Sequence, residues 1–292
     1  MEQAPRRQLR ELLAGDRIVL APGAYDALLA RLIEQAGFSA IYMTGSGVSN
    51  TLIGQPDLGL VTMKEMADKV ASLAEVVSIP IIADADTGYG NALNVQRTVR
   101  AYERAGVSAI QLEDQTFPKR CGHLDGKDVI SASEMLDKLH AAVDARTDPD
   151  LVIVARTDSR AIHGIEDAIE RGQRYAEAGA DLIFVEAPRT VEEMRQITAA
   201  IDQPCLANLV EGGKTPILPA AELEQIGYRV AIYANALTRV IARAASDALQ
   251  VLKRDGTTAA LAERMEDLMS LNAIVGLPAM LATAERYSSH ES

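Results

Sequence analysis

Tryptophan is absent from this 292-residue chain, and aromatic residues make up only 4% of it. Surfaces that stack bases are built from aromatic side chains, so that class of function is excluded. Positive charge is also short: 29 Lys+Arg against 41 Asp+Glu leave a formal net charge of −12. Such a chain repels phosphate backbones and anionic lipid, so neither nucleic acid nor a membrane surface is expected as a partner. Cysteine is scarce too, with Cys121 and Cys205 far apart in unlike surroundings. A disulfide framework or structural zinc site needs more thiols at closer spacing. No apolar run is expected to reach the ~18–20 residues of a membrane helix. The N-terminus, Met-Glu-Gln-Ala-Pro-Arg-Arg, leads into a polar segment without the apolar stretch of a signal peptide. A soluble, cytoplasmic protein is expected.

What the chain does contain is core: 48% of it is hydrophobic. Short apolar, β-branched runs recur at Ile18–Ala21, Ala40–Met43, Ile79–Asp84, Ala109–Glu113, Leu151–Arg156, Leu182–Glu186, Cys205–Asn208 and Val230–Tyr233. Most are continuous rather than alternating, as parallel strands buried on both faces should be. Between them lie amphipathic stretches such as Met63–Val77, Leu93–Ala105, Ala132–Ala145, Ile165–Ala178 and Val191–Ile201. Gly37, Gly106 and Gly179 follow such stretches, where a left-handed residue closes a helix before the next strand. Eight β units with helices between them predict one (β/α)8 TIM barrel over residues 1–253. Residues 254–292 are surplus to a closed barrel and form a C-terminal helical extension of the same domain. There Leu261, Met265, Leu268, Leu271 and Ile274 fall near helical spacing and need a partner surface. A doubly wound sheet is disfavoured, because Gly45-Ser46-Gly47 fails the dinucleotide-binding glycine pattern.

In a barrel of this kind the polar residues at the C-terminal ends of the strands converge on one site. Here those are Tyr42 and Thr44, Asp84 and Asp86, Glu113, Arg156 and Asp158, Glu186, and Asn208. Asp84 and Asp86 are two apart, so an extended backbone puts them on one side. With Glu113 from the next strand they make an all-oxygen cluster suited to Mg²⁺, with Mn²⁺ as a substitute. The segment Thr116–Lys127 has the charges, glycines and proline of a mobile lid. Lys119, Arg120 and His123 put positive charge near Cys121, which favours its thiolate. Cys205, in an apolar strand, is read as packing. Arg156 and Arg239 are candidates for binding a carboxylate.

Taken in order, Tyr42-Met43-Thr44-Gly45-Ser46-Gly47, Asp84-Ala85-Asp86-Thr87-Gly88-Tyr89-Gly90, Lys119-Arg120-Cys121-Gly122-His123 and Asn208…Glu211-Gly212-Gly213-Lys214-Thr215-Pro216 resemble the isocitrate lyase/phosphoenolpyruvate mutase superfamily. The resemblance is strongest to its 2-methylisocitrate lyase and 2,3-dimethylmalate lyase branches, and it runs from about Pro22 to the C-terminal helices. It implies a Mg²⁺-dependent lyase that cleaves a C–C bond of an anionic 2-hydroxy di- or tricarboxylate, releasing an α-keto acid such as pyruvate. It implies Asp84, Asp86 and, through water, Glu113 as metal ligands, and Cys121 as general acid, with Lys119 and His123 beside it. Arg156 would stabilise oxyanion charge. Thr44, Gly45, Ser46, Gly122, Glu186, Asn208 and Arg239 would bind substrate. The base is left among Tyr42, Asp57 and a water on the metal. Phosphonate P–C chemistry and oxaloacetate hydrolysis or decarboxylation are the alternatives within the superfamily. The resemblance further implies a homotetramer in which a C-terminal helix is exchanged between subunits.

Overall fold

The computed structural model describes residues 4–122 and 126–288. By its contacts the chain divides into two units, residues 1–237 and 238–292.

The first unit is a closed barrel of eight parallel strands paired in sequence order, β1 next to β2 and so round to β8 beside β1. The strands are β1 (Val19–Ala24), β2 (Ile41–Met43), β3 (Ile81–Asp84), β4 (Ala109–Glu113), β5 (Val152–Thr157), β6 (Leu182–Val185), β7 (Cys205–Asn208) and β8 (Tyr228–Tyr233). All eight expected strands are present. The main difference lies in β1, which continues past Pro22 and Gly23 instead of stopping at Ala21. Pro22 pairs with Tyr233 and Gly23 with Tyr42. A Cβ on Gly23 would lie 2.8 Å from the carbonyl carbon of Ala234, so glycine is needed for the close approach of β8.

Outside the strands the helices α1 (Pro5–Ala14), α2 (Ala27–Gln35), α3 (Gly45–Val48), α4 (Met63–Ala74), α5 (Ala92–Arg104), α6 (Ala132–Ala145), α7 (Ile165–Glu177), α8 (Val191–Ala200) and α9 (Ala220–Ile226) follow. Their ends obey local chemistry. Thr62 and Glu65 form a capping box at α4, and Asn91 and Asn94 form one at α5. Gly37, Gly106 and Gly179 take φ of +85°, +96° and +96°, as expected after helices. The hydrophobic stripe of α5, Val95, Val99 and Tyr102, packs outward-facing strand residues. A second, separate cluster fills the barrel interior with Tyr42, Ile82, Phe184 and Ile232, and Leu9 and Leu13 of α1 join it. Arg6 and Arg10 of α1 reach Asp148 and Asp181 at 2.8 and 2.7 Å. Conserving that end for packing leaves the opposite, C-terminal ends of the strands for chemistry.

The second unit contains most of α10 (Ala236–Asp255), a 3-10 turn (Ala259–Arg264), α11 (Leu268–Ile274) and α12 (Leu277–Ser288). The helix after β8 therefore groups with the C-terminal segment, whereas the sequence assigned residues up to 253 to the barrel. The near-helical spacing of Leu261, Met265, Leu268, Leu271 and Ile274 runs from the 3-10 turn into α11 rather than along one continuous helix. The Asp267 carboxylate accepts from Met269 N and Ser270 N and starts a new helix, and Gly276 takes φ +86°. One stretch, Ala259–Ser288, is apolar enough by composition to span a bilayer, with a mean hydropathy of 1.4. Its two helices have 7 and 12 residues, each short of the ~20 that a span requires.

Candidate active site

The C-terminal ends of the strands enclose a cavity with about 30 Å³ of free space, lined by Tyr42, Thr44, Asp84, Glu113, Cys121 and Arg156 among others. That is room for roughly one water molecule. The loop carrying Cys121 and the Asp57 segment supply walls that lie outside the strands. Ser46, Asp57, Lys119, Gly122, Glu186 and Asn208 line the same space. The structure thus brings together nearly every strand-end residue singled out in the sequence. Gly45 belongs to this site through Asp84, since a Cβ on it would lie 2.5 Å from Asp84 Oδ2. Arg239 belongs to the second unit, on α10, and His123 lies outside the described residues.

On one side, β2 ends at Met43 and Thr44 Oγ1 accepts from Gly47 N at 3.2 Å, starting the short helix α3. The Tyr42 hydroxyl donates to Gln111 Oε1 at 3.1 Å, and Gln111 Nε2 donates to Asp84 Oδ1 at 3.3 Å. Sequence reading did not single out Gln111, although a lone amide in the apolar run of β4 was its signal. Burial, with the Asp84 charge added, pushes the Tyr42 hydroxyl well above the usual phenol range. Tyr42 therefore keeps its proton at neutral pH.

Asp84 and Asp86 do come together, but not by strand alternation. The strand ends at Asp84, and Asp86 has φ +47°, with its N–H donating to Asp84 Oδ1 at 3.0 Å. A left-handed non-glycine residue is a strained turn held by its surroundings. The Lys119 ammonium lies 2.6 Å from Asp86 Oδ1 and 2.5 Å from Asp57 Oδ1. Burial works to lower the Lys119 ammonium, but Asp86 and Asp57 outweigh it and hold it well above its usual range. Its charge is thus committed to the carboxylates. Arg120 is exposed, with its backbone N–H and carbonyl clasped by the Gln115 side chain at 2.9 and 2.8 Å.

Arg156, on β5, stands among three carboxylates. Its Nε and Nη2 donate to Asp158 at 2.9 and 3.2 Å, Nη1 lies 3.3 Å from Glu113, and Nη2 lies 3.3 Å from Glu186. The guanidinium carbon sits 5.1 Å from the centre of the Phe184 ring. The register pairs Arg156 with Glu113 and Phe184 across neighbouring strands, so strand pairing sets this contact. Asn208 Nδ2 donates to Glu186 at 3.2 Å. Cys121 is half-buried and Cys205 buried, and neither is in a disulfide. Burial pushes the Cys205 thiol up to about 12, in keeping with a packing role.

The carboxylates suit a Mg²⁺ ion. Glu113 Oε1 is buried without a hydrogen-bond partner, and burial pushes this carboxyl well above its usual range, against the pull of Arg156. A buried carboxylate oxygen without a donor is one that a cation, directly or through water, would satisfy. Among the described residues no three Asp, Glu, His or Cys side chains close into a single ligand cluster. Mg²⁺ binds through one or two carboxylates and keeps several waters, so Asp84, Asp86 and a water-bridged Glu113 fit it, whereas three direct protein ligands do not form.

The model of the phosphoenolpyruvate phosphomutase family matches residues 9–253. The 2,3-dimethylmalate lyase of Eubacterium barkeri is 49% identical over 97% of this chain and 98% of its own. The 2-methylisocitrate lyase of Aeropyrum pernix is 46% identical over 87% of this chain and 82% of its own. A crystal structure of phosphonopyruvate hydrolase in complex with oxalate and Mg²⁺ superposes with a TM-score of 0.89, at 33% identity over 98% of this chain and 99% of that one.

Proposed function

The chain belongs to the phosphoenolpyruvate mutase/isocitrate lyase superfamily and is one of its carbon–carbon lyases, and from that premise we propose that it cleaves a 2-hydroxy di- or tricarboxylate of the 2,3-dimethylmalate, 2-alkylmalate or 2-methylisocitrate type. The products are an α-keto acid such as pyruvate and a carboxylic acid. The observation that carries this reading is that one cavity is lined by a thiol, Cys121, together with a guanidinium, Arg156, and several carboxylates.

Asp84, Asp86 and Glu113 would hold Mg²⁺, which when bound supplies Lewis acidity that lowers the pKa of the substrate's C2 hydroxyl. Thr44, Gly45 and Ser46 bind the carboxylate of the keto-acid half through backbone N–H groups and hydroxyls. A base removes the hydroxyl proton. Tyr42 keeps its own proton, so of the two protein candidates Asp57, an acceptor from Lys119, is the better placed. As the C2–C3 bond breaks, its electron pair moves to C3 and the C2 oxygen becomes the ketone. Arg156 stabilises the oxyanion charge that builds on the way. The Cys121 thiol gives its proton to C3, releasing the carboxylic acid, and the thiolate is reprotonated from the proton the base took. Glu186, beside Arg156, and Asn208, which donates to Glu186, complete the pocket in this reading.

The test is keto-acid release with Mg²⁺ and, separately, 2,3-dimethylmalate, 2-methylisocitrate, oxaloacetate and phosphonopyruvate. Turnover of one of the first two is expected. Turnover of phosphonopyruvate or oxaloacetate alone overturns the reading in favour of P–C cleavage or oxaloacetate hydrolysis.

We further infer a cytoplasmic homotetramer that exchanges its C-terminal helices. No residue of α10 is buried within the chain, and Val240, Leu249, Leu268, Met269 and Met280 are exposed at 63–74%. Apolar surface on this scale calls for a partner. Light scattering after gel filtration should give four times the chain mass.

A further inference from the structure

We propose that Lys127 and Asp158 act as one positioning unit that clamps the Cys121 loop onto Arg156. The proposal rests on the reading of Cys121 as general acid. Lys127 stands in an exposed, polar part of the loop, yet only 2% of its side chain is accessible, and the Asp158 side chain is fully buried. A buried ammonium is costly unless paired and hydrogen-bonded. Its Nζ lies 2.6 Å from Asp158 Oδ1 and also donates to the carbonyl of Gly122, the residue after Cys121.

The other end of the clamp is rigid. Asp158 accepts both Arg156 donors, and its own N–H donates to Asp114 Oδ1 at 3.0 Å. Asp114 in turn is held from β5 and α7 by Thr157, Tyr175 and Arg171. Between the two, Gly122 packs against the reacting groups: a Cβ there would lie 2.7 Å from Glu186 Cδ and closer still to Arg156 Nη2. One carboxylate therefore orients the guanidinium with one hand and, through Lys127, fixes the loop with the other. Neither residue reaches the reacting atoms. They set where Cys121 and Arg156 stand relative to each other.

The decisive variant is Lys127→Met, with Lys127→Arg as the conservative control. Misplacing a catalytic group by ~1 Å costs up to roughly 10²-fold, so kcat should fall about that much in Lys127→Met while KM moves less than threefold, and Lys127→Arg should restore most of it. Alkylation of Cys121 by iodoacetamide, measured on the ligand-free enzyme with Cys205 as internal control, should speed up in Lys127→Met. Asp158→Asn should be no worse when combined with Lys127→Met than alone, because the pair works as a unit. The alkylation arm needs no substrate, so it reports on the clamp even if none of the assayed acids is turned over. Unchanged alkylation in Lys127→Met overturns the proposal whatever happens to kcat. Additive losses in the double variant overturn it too.

Discussion

Glu113 and Asp114 are neighbours at the end of β4, both carboxylates, both buried to 1% or less, and they live in opposite worlds. Strand alternation sends Glu113 into the barrel and Asp114 out toward the helices. Outside, Asp114 Oδ2 accepts from Thr157 Oγ1, Tyr175 OH and Arg171 Nη1 at 2.7, 2.8 and 3.1 Å, and Oδ1 accepts from Asp158 N at 3.0 Å. Both oxygens have donors, four in all. Inside, Glu113 shares Arg156 with Asp158 and Glu186, and its Oε1 has no donor. A buried carboxylate that is fully satisfied holds the fold together. One left short of donors is costly to keep and marks where a cation or substrate completes the site.

The sharpest way to break this contrast is to neutralise each member. Glu113→Gln should cost roughly 10²–10³-fold in kcat, weaken Mg²⁺ binding by calorimetry, and leave the melting temperature nearly unchanged. Asp114→Asn should instead destabilise by about 3 kcal/mol, since it strips a partner from the buried Arg171, and leave the folded fraction active. Denaturant titration and kinetics on the same preparations decide; the reverse pattern would refute the division into structural and functional carboxylates.

A loss at least as large is expected of Cys121→Ala. Losing a general acid costs ~10²–10⁴-fold, with Mg²⁺ affinity intact because the thiol is not among the carboxylates. Near-normal lyase turnover in this variant would show that the proton comes from elsewhere. The matching change at Cys205 should leave kcat alone, and its native thiol, held at about 12, should resist alkylation at pH 8 until the barrel unfolds.

The smallest effect is a pH dependence that sits between the two regions, at Asp158. Burial works to raise its carboxyl, but Arg156 and Lys127 hold it down to about 2, below the ordinary 3.8. A group lowered in the native state stabilises fully above its unfolded pKa and loses that contribution as pH falls through the folded value. The stability gap between the native protein and Asp158→Asn should therefore be constant near neutrality and close between pH 3.8 and about 2. A gap that does not narrow in urea melts across that window would mean the ion pairs are not what holds Asp158.

Much of the barrel could be read before folding. Continuous apolar runs such as Ala109–Glu113 coincide with the strand they predict, because a strand buried on both faces leaves no other pattern. The turn residues did less well. Pro22 and Gly23 look like a stop, but pairing with Tyr233 and Tyr42 on neighbouring strands outweighs their local preference. At the site, the residue types at the strand ends were legible, and the direction of their charges was not. Lys119 looked like a partner of Cys121, two positions on, yet its ammonium crosses to Asp57, 62 residues back. Lys127 carried no signal at all, because its partner Asp158 lies 31 residues away, just past the end of β5.

The sequence by itself determined eight strands in order, the helices that cover them, and the set of carboxylates, arginine and thiol that the strand ends and one loop carry. Those follow from local spacing, which is a property of the chain. Tertiary structure alone decided which carboxylate is satisfied and which is left short, where each lysine spends its charge, and how close Gly122 comes to Arg156. A hydrogen bond needs its donor and acceptor within about 3 Å, and only closure of the barrel brings groups so far apart in sequence to that distance.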